Sequence, residues 1–163
     1  MVWSRVFANL GSFVLPIGAT VLVPWALIGE WPSFGEIDPL HGAVGGALIA
    51  AGLSMLGWTV SLFIRIGRGT LAPWDPTRKL VVLGPYARVR NPMISGVFTM
   101  ICGEAIVLVS RSVAGWAALF FAINHLYFIV SEEPGLLQRF GAEYEVYKRN
   151  VPRWIPRWTA WRP

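Results

Sequence analysis

The chain has a single cysteine, Cys102, in 163 residues. One thiol closes no internal disulfide, and with neither a CxxC pair nor a Cys/His partner the sequence supports no redox or metal centre. Cys102 lies inside an apolar stretch and reads as a small packing residue. Charge is also scarce. Only 14% of residues are charged against 55% hydrophobic, and the mean hydropathy of +0.53 excludes an ordinary soluble domain. The sequence shows neither a low-complexity tract nor an internal repeat. The N-terminal apolar run is longer than a signal-peptide core, contains Pro16 and Pro24, and has no small-x-small site before Glu30. It is read as a retained first span.

Four long apolar stretches are present, at about 6–28, 42–64, 93–109 and 113–130. They predict an all-α fold: an integral membrane bundle of about four transmembrane helices forming one domain. The last two are short for a hydrocarbon layer of about 30 Å and call for tilt or local thinning. Polar breaks separate the stretches. Residues 30–38 are acidic and carry one proline, Pro32, whereas 65–90 is basic, with Arg65, Arg68, Arg78, Lys79, Arg88 and Arg90. Ser110-Arg111-Ser112 reads as a hairpin turn. The loop 65–91 and the tail 131–163 hold nearly all the Lys and Arg, which predicts both on the cytoplasmic side and both termini inside. A net charge of +5 and a pI of about 10.0 are then explained by lipid headgroups rather than nucleic acid. Oligomeric state is not legible.

Within the second stretch Gly42, Gly46, Ala50 and Ser54 recur every four residues, with Gly45 and Gly52 nearby. Small residues let helix backbones approach in lipid; alternatively, Gly52 and Ser54 leave room for a ligand. After the last stretch, Leu136, Phe140, Tyr144, Tyr147 and Val151 mark one helix face, opposite Arg139, Glu143, Glu145, Lys148 and Arg149. This predicts an amphipathic helix on the cytoplasmic interface, followed by Trp154, Trp158 and Trp161 as headgroup-level anchors.

Ionisable groups near apolar spans are costly and point to function. Here they are Glu104, His125, Glu132 and Glu133. With a hairpin centred on Arg111, Asn91 lies 20 residues before it and Glu132 lies 21 after it. Equal helical rise then puts Asn91 and both acids at one depth, with Tyr86, Arg88 and Arg90 arriving along the preceding loop. Glu132 and Glu133 point about 100° apart, so different jobs are expected of them. A solvated helix end is the plainer reading, although acids there oppose the helix dipole. His125 sits one face with Glu132 and about 10 Å deeper, either as a satisfied packing histidine or as a proton acceptor. Glu104 is expected to pair within the bundle, for example with Asn124 or His125. Pro73-Trp74-Asp75-Pro76 reads as a turn with an interfacial aromatic.

Three segments, GPYARVRNPM (84–93), SEEP (131–134) and FGAEYEVYKRNVPRWIP (140–156), in this order and spacing, resemble the isoprenylcysteine carboxyl methyltransferase and phospholipid methyltransferase superfamily. A weaker likeness extends to Gly52-Leu53-Ser54 ahead of Gly69-Thr70. The resemblance implies an S-adenosylmethionine site between the last two helices and the basic loop. Glu132 and Glu133 would meet the cofactor's amino and hydroxyl groups. Asn91 and Pro92 would shape the corner beside Arg90 and the Gly84-Pro85-Tyr86 turn, and Gly52 and Ser54 would lie near the ligand. Asn-Pro-Met resembles the phospholipid branch, whereas Phe-Gly-x-Glu-Tyr resembles the carboxyl methyltransferases, and Ile94 departs from the tyrosine often found after Pro-Met.

Methyl transfer from a sulfonium is an in-line displacement that draws on alignment and desolvation. It needs no metal or covalent nucleophile, and none is visible. An amine acceptor must lose a proton, which a carboxylate or His125 could take. The expected partner is a lipid or lipid-tailed substrate that reaches the site laterally. The competing reading is a small proton-coupled transporter using Glu104.

Overall fold

A computed structural model describes residues 14–29, 32–67 and 79–162. The start of the first stretch, Glu30, Arg68, Gly69-Thr70, Arg78 and the Pro73–Pro76 turn lie outside the described residues. The described residues form helices and no strand. Helix α1 covers 14–28, with a π-helical turn at Gly18–Leu22; α2 is Pro39–Leu62, running on through a π turn at Phe63–Gly67. Next come α3 at Pro92–Val107 and α4 at Arg111–Tyr127, and a π turn at Phe128–Glu132 carries α4 into α5 at Glu133–Phe140. Helix α6 is Ala142–Asn150.

Two of these helices are long and apolar enough to cross a membrane: Pro39–Leu62, of 24 residues, and the continuous Arg111–Phe140, of 30. Only 22% and 17% of their most apolar windows are buried by protein, so their apolar side chains face outward rather than into a core. Gly18–Ile28 and Pro92–Val107 are apolar but shorter. Hydroxyl and amide side chains in these helices turn back on their own backbone: Ser54 bonds to the Ala50 carbonyl, Thr59 to Met55 and Leu56, Thr99 to Ser95 and Asn124 to Phe120. This internal satisfaction is what hydrocarbon surroundings require.

Helix α2 begins at Pro39 rather than Gly42 because Asp38 caps it, accepting from the Leu40 and His41 amides. The contact between α2 and α3 is built on glycine, but not on the predicted stripe. Gly45 faces Gly103 and Gly52 faces Gly96, a spacing of seven on both helices, and each glycine lies against the opposite backbone. A Cβ on Gly103 would come within 2.6 Å of the Gly45 carbonyl oxygen, and one on Gly52 would collide with that of Gly96. Around Gly46 the space is open, and Ser54 is exposed. The heptad spacing is the repeat of an antiparallel left-handed pair, so the period of four was the wrong one. A cluster of Ala19, Leu56, Val97, Ile101, Val113 and Ala117 joins α1 to α4, and the Trp116 indole donates to the Ala19 carbonyl.

The hairpin also differs from expectation. Its turn is Leu108 to Ser110, with Val109 at φ 46°, and Arg111 is already helical, capped by the Ser110 hydroxyl. The predicted amphipathic helix is broken at Gly141 (φ 52°), a backbone conformation suited to glycine, giving α5 and α6. Its apolar face is covered by protein instead of lying open to lipid: Tyr144, Tyr147 and Val151 pack with Leu80, Val82, Leu136, Phe140 and Trp161.

Candidate functional site

The loop before α3 forms one wall of the site. Gly84 has φ 60° and lies against Trp58 and Leu62, and from it Gly84–Ala87 makes a 3-10 turn that buries Pro85, Tyr86 and Ala87. Asn91 follows as the residue before α3, with Pro92 buried at the first helical position, where its missing N–H costs nothing. The Asn91 carbonyl accepts from the amide and hydroxyl of Ser95. Its side-chain amide makes no hydrogen bond to the described residues.

The second wall is the end of the long helix. The apolar stretch of α4 ends at Val130; Glu132 and Glu133 follow on its polar end, and there the two acids part. Glu133 is buried, and three cations meet its carboxylate. The Arg90 guanidinium donates to Oε1 at 2.8 Å, Arg153 Nε donates to the same oxygen at 2.6 Å, and Lys148 Nζ lies 3.1 Å from Oε2. Burial alone would raise this carboxyl, but the hydrogen bonds from Arg153 and Lys148 and the Arg90 charge outweigh it and hold the group below the usual carboxylate range. Arg153 in turn is raised by its bond to Glu133.

Glu132 is half-buried and forms no ion pair with a described residue. Burial raises its carboxyl, against the charge of Arg139. Its charge is also felt at Tyr86, whose phenol is raised well above normal by burial, then by Tyr147 and Glu132. Tyr147 donates its hydroxyl to the Tyr86 carbonyl at 2.8 Å.

The third wall was not expected. The tail after α6 folds back over the loop: the Arg90 amide bonds to the Pro152 carbonyl, Arg157 to Arg88, and Trp161 to Ala87. Trp154 reaches α4, where its indole N–H donates to His125 Nδ1 at 2.9 Å, with Phe121 and Phe128 around the ring. An indole nitrogen only donates, so Nδ1 must be the unprotonated nitrogen, and a neutral His125 carries its proton on Nε2.

Sequence reasoning thus placed Arg90, Asn91, Pro92, Tyr86, Gly84 and Pro85 beside the acid pair, and the structure brings Arg90 to Glu133 and Tyr86 within reach of the Glu132 charge. Arg88 is not in the cluster; its guanidinium bonds to the Trp158 carbonyl. Missed were Arg153, Lys148, Trp154 and Tyr144, whose hydroxyl accepts from the Arg90 guanidinium at 3.4 Å. Lys148 lies on the charged face of the amphipathic pattern, and nothing local distinguishes Arg153 from the other arginines of the tail. Glu104 does not pair as expected, because Asn124 bonds to Phe120 and His125 to Trp154, while the buried Oε2 of Glu104 has no partner among the described residues.

An apolar cleft of about 400 Å³ opens between α2 and the α3–α4 hairpin, under the tail; Gly52, Met55, Ser95, Phe121, Trp154 and Pro156 line it. Ser54 does not, since it lies on another face of α2.

Comparison with known proteins bears on this arrangement. The phospholipid methyltransferase family model matches residues 40–143. The chain is also 31% identical, over 119 residues, to the nickel-cobalt-cadmium resistance protein NccN of Alcaligenes xylosoxydans xylosoxydans. That match covers 73% of this chain and 54% of the relative, so the chain spans about half that protein's length. No solved structure matches the chain significantly.

Proposed function

This chain belongs to the phospholipid methyltransferase family, and from that premise we propose that it moves a methyl group from S-adenosylmethionine to a lipid or lipid-tailed acceptor at the cytoplasmic face of a membrane. The observation that carries the reading is the divided acid pair. Glu133 is saturated by Arg90, Arg153 and Lys148, whereas Glu132 beside it in sequence forms no ion pair with a described residue, and its charge is felt at buried Tyr86. The Glu132 carboxylate suits the positively charged amino group of such a ligand, and the Arg90 guanidinium and Asn91 amide suit a ligand's acceptor atoms. The buried Arg90 Nε lacks a partner among the described residues, and the Asn91 amide has a donor and an acceptor free of them. When bound, the cofactor supplies a methyl group on a sulfonium, open to in-line displacement.

In this reading Glu132 holds the cofactor's amino or hydroxyl groups, and Asn91 and Pro92 form the corner. Gly84, Pro85 and Tyr86 wall it, and Glu133 with Arg90 fixes the corner to the helix end. The acceptor's tail lies in the cleft beside Gly52. Ser54 has no place at this ligand. Because Trp154 occupies His125 Nδ1, His125 offers an N–H rather than a lone pair, and proton removal from an amine acceptor passes to Glu132, whose raised carboxyl suits a base. The four-span arrangement with both ends cytoplasmic belongs to the same proposal; tags at either terminus should be protected in sealed right-side-out vesicles.

The family match lends nothing to a proton-coupled transporter. Metal resistance is named for the relative alone, and no group of three or more His, Cys, Asp or Glu that could hold a metal ion occurs among the described residues here.

The test is thermal: S-adenosylmethionine and its demethylated product should each raise the melting temperature of the solubilised protein, as ligands of the native state do. No shift with either would sink the proposal. A radiolabelled methyl-transfer assay comparing amine lipids, prenylated cysteine analogues and their tail-less counterparts then identifies the acceptor. Equal turnover of the tail-less compounds would rule out a lipid-tailed substrate.

A further inference from the structure

The tail 151–162 holds three arginines and no acid, and its two most exposed apolar side chains are Ile155, at 81%, and Trp158, at 96%. Exposure of that kind needs an occupant. Its depth in the fold says which one. Trp154 is anchored to His125, Phe121 and Phe128, which lie one to three turns back from Glu132 along the apolar part of α4. The tail therefore does not stand away from the helix ends: at Trp154 it returns to the apolar turns of α4, with Ile155 exposed beside it, and at 157–161 it lies along the loop at Arg88 and Ala87, with Trp158 exposed. Arg88 and Arg162 are exposed, Arg157 is half-buried, and the Arg88 guanidinium is bound to the Trp158 carbonyl. The Arg157 guanidinium likewise donates to the Asn150 carbonyl; none of the three meets a carboxylate among the described residues, and an apolar tip flanked by such guanidiniums complements a leaflet whose surface carries negative phosphates.

We propose that residues 152–162 are a lipid-docked strap: Ile155 and Trp158 seat in an anionic leaflet, Arg88, Arg157 and Arg162 meet its phosphates, and this seating holds Trp154 against the cleft. The coupling runs through named bonds. The strap carries the Arg157 and Trp161 amides that bond to Arg88 and Ala87, and the Pro152 carbonyl that accepts from Arg90. Lipid that steadies the strap thus steadies the loop beside Glu132 and the wall made by Trp154 and Pro156. The inference rests on the membrane reading above but not on methyl transfer.

Its test uses the full chain in lipid nanodiscs without cofactor or acceptor, reading hydrogen exchange of the 151–162 amides. Nanodiscs of phosphatidylcholine alone are compared with ones containing phosphatidylglycerol. With the anionic lipid, exchange at Arg157 and Trp161 should slow by about thirtyfold, as the two strap arginines Arg157 and Arg162 near such a surface imply, and high salt should erase the difference. The double substitution Arg157→Gln, Arg162→Gln should remove the lipid dependence. Ile155→Ser with Trp158→Ser should leave the strap fast-exchanging in both nanodiscs, with the amides of α3 unchanged. Equal exchange in the two lipids for the wild type would overturn the proposal, and so would protection that rises with the number of protein copies per disc, which would mark a second copy as the occupant. A missing cofactor shift would sink the methyltransferase reading and leave this result standing.

Discussion

At the scale of the residue, neighbouring carboxylates separate into two roles through their surroundings. Glu133 is a buried anion held by three cations, so Glu133→Gln should lower stability by about 2 kcal/mol, less than a fully buried pair because Lys148 and Arg153 reach solvent. Since the folded-state carboxyl is depressed, its contribution is complete above the ordinary value of 4.5 and is lost as pH falls below it. Melting curves of wild type and Glu133→Gln should therefore converge on the acid side. Glu132→Gln should leave the melting temperature of the free protein nearly unchanged and reduce its rise with S-adenosylmethionine; calorimetry giving wild-type affinity would count against Glu132. At His125 the bond from Trp154 predicts that His125→Asn, which can still accept, keeps the tail packed. His125→Leu leaves an indole N–H without a partner, at about 1–3 kcal/mol. Equal melting temperatures for the two variants would refute that bond. The acids and His125 were legible as costly groups near apolar spans. Their partners were not, because Arg153 and Trp154 approach from 20 and 29 residues away in sequence.

At the scale of the element, α2 and α3 meet through backbone rather than side chains. Gly52→Ala and Gly103→Ala each drive a methyl into the opposing carbonyl and should cost about 1–3 kcal/mol. Gly46→Ala meets open space and should be close to neutral, and a melting series of the three separates the heptad contact from the stripe read at period four. The apolar stretches foretold helices well, since length and composition act locally. Which glycines face a neighbour depends on how two helices cross. The break at Gly141 was hidden for a similar reason: the apolar period runs smoothly across it, and only the positive φ ends α5 there.

At the scale of the molecule, the cleft lies where α2, the α3–α4 hairpin and the tail converge, which supports lateral access for a tailed substrate. Ala51 lines this cleft and Ser54 does not. Ala51→Phe should therefore block methyl transfer to a tailed acceptor while keeping the thermal shift with S-adenosylmethionine, and Ser54→Phe should leave both intact. Loss of both signals in Ala51→Phe would mean the cleft and the cofactor site are not separable.

By itself the sequence determined the helical class, the positions of the apolar stretches, the basic loop and tail, and the motifs that place Asn91, Arg90 and the two acids near one another. Those features are written in composition and in spacing along single helices, where rise and hydrophobicity act without reference to the rest of the chain. The tertiary structure alone decided that Glu133 is saturated while Glu132 is not. It also decided that His125 Nδ1 accepts from the Trp154 indole, that Gly45 and Gly52 rather than Gly46 and Ser54 touch α3, and that the tail closes over the loop. Each of these depends on a contact between distant segments, and such contacts are set by burial and by pairing of buried charge, which no local pattern encodes.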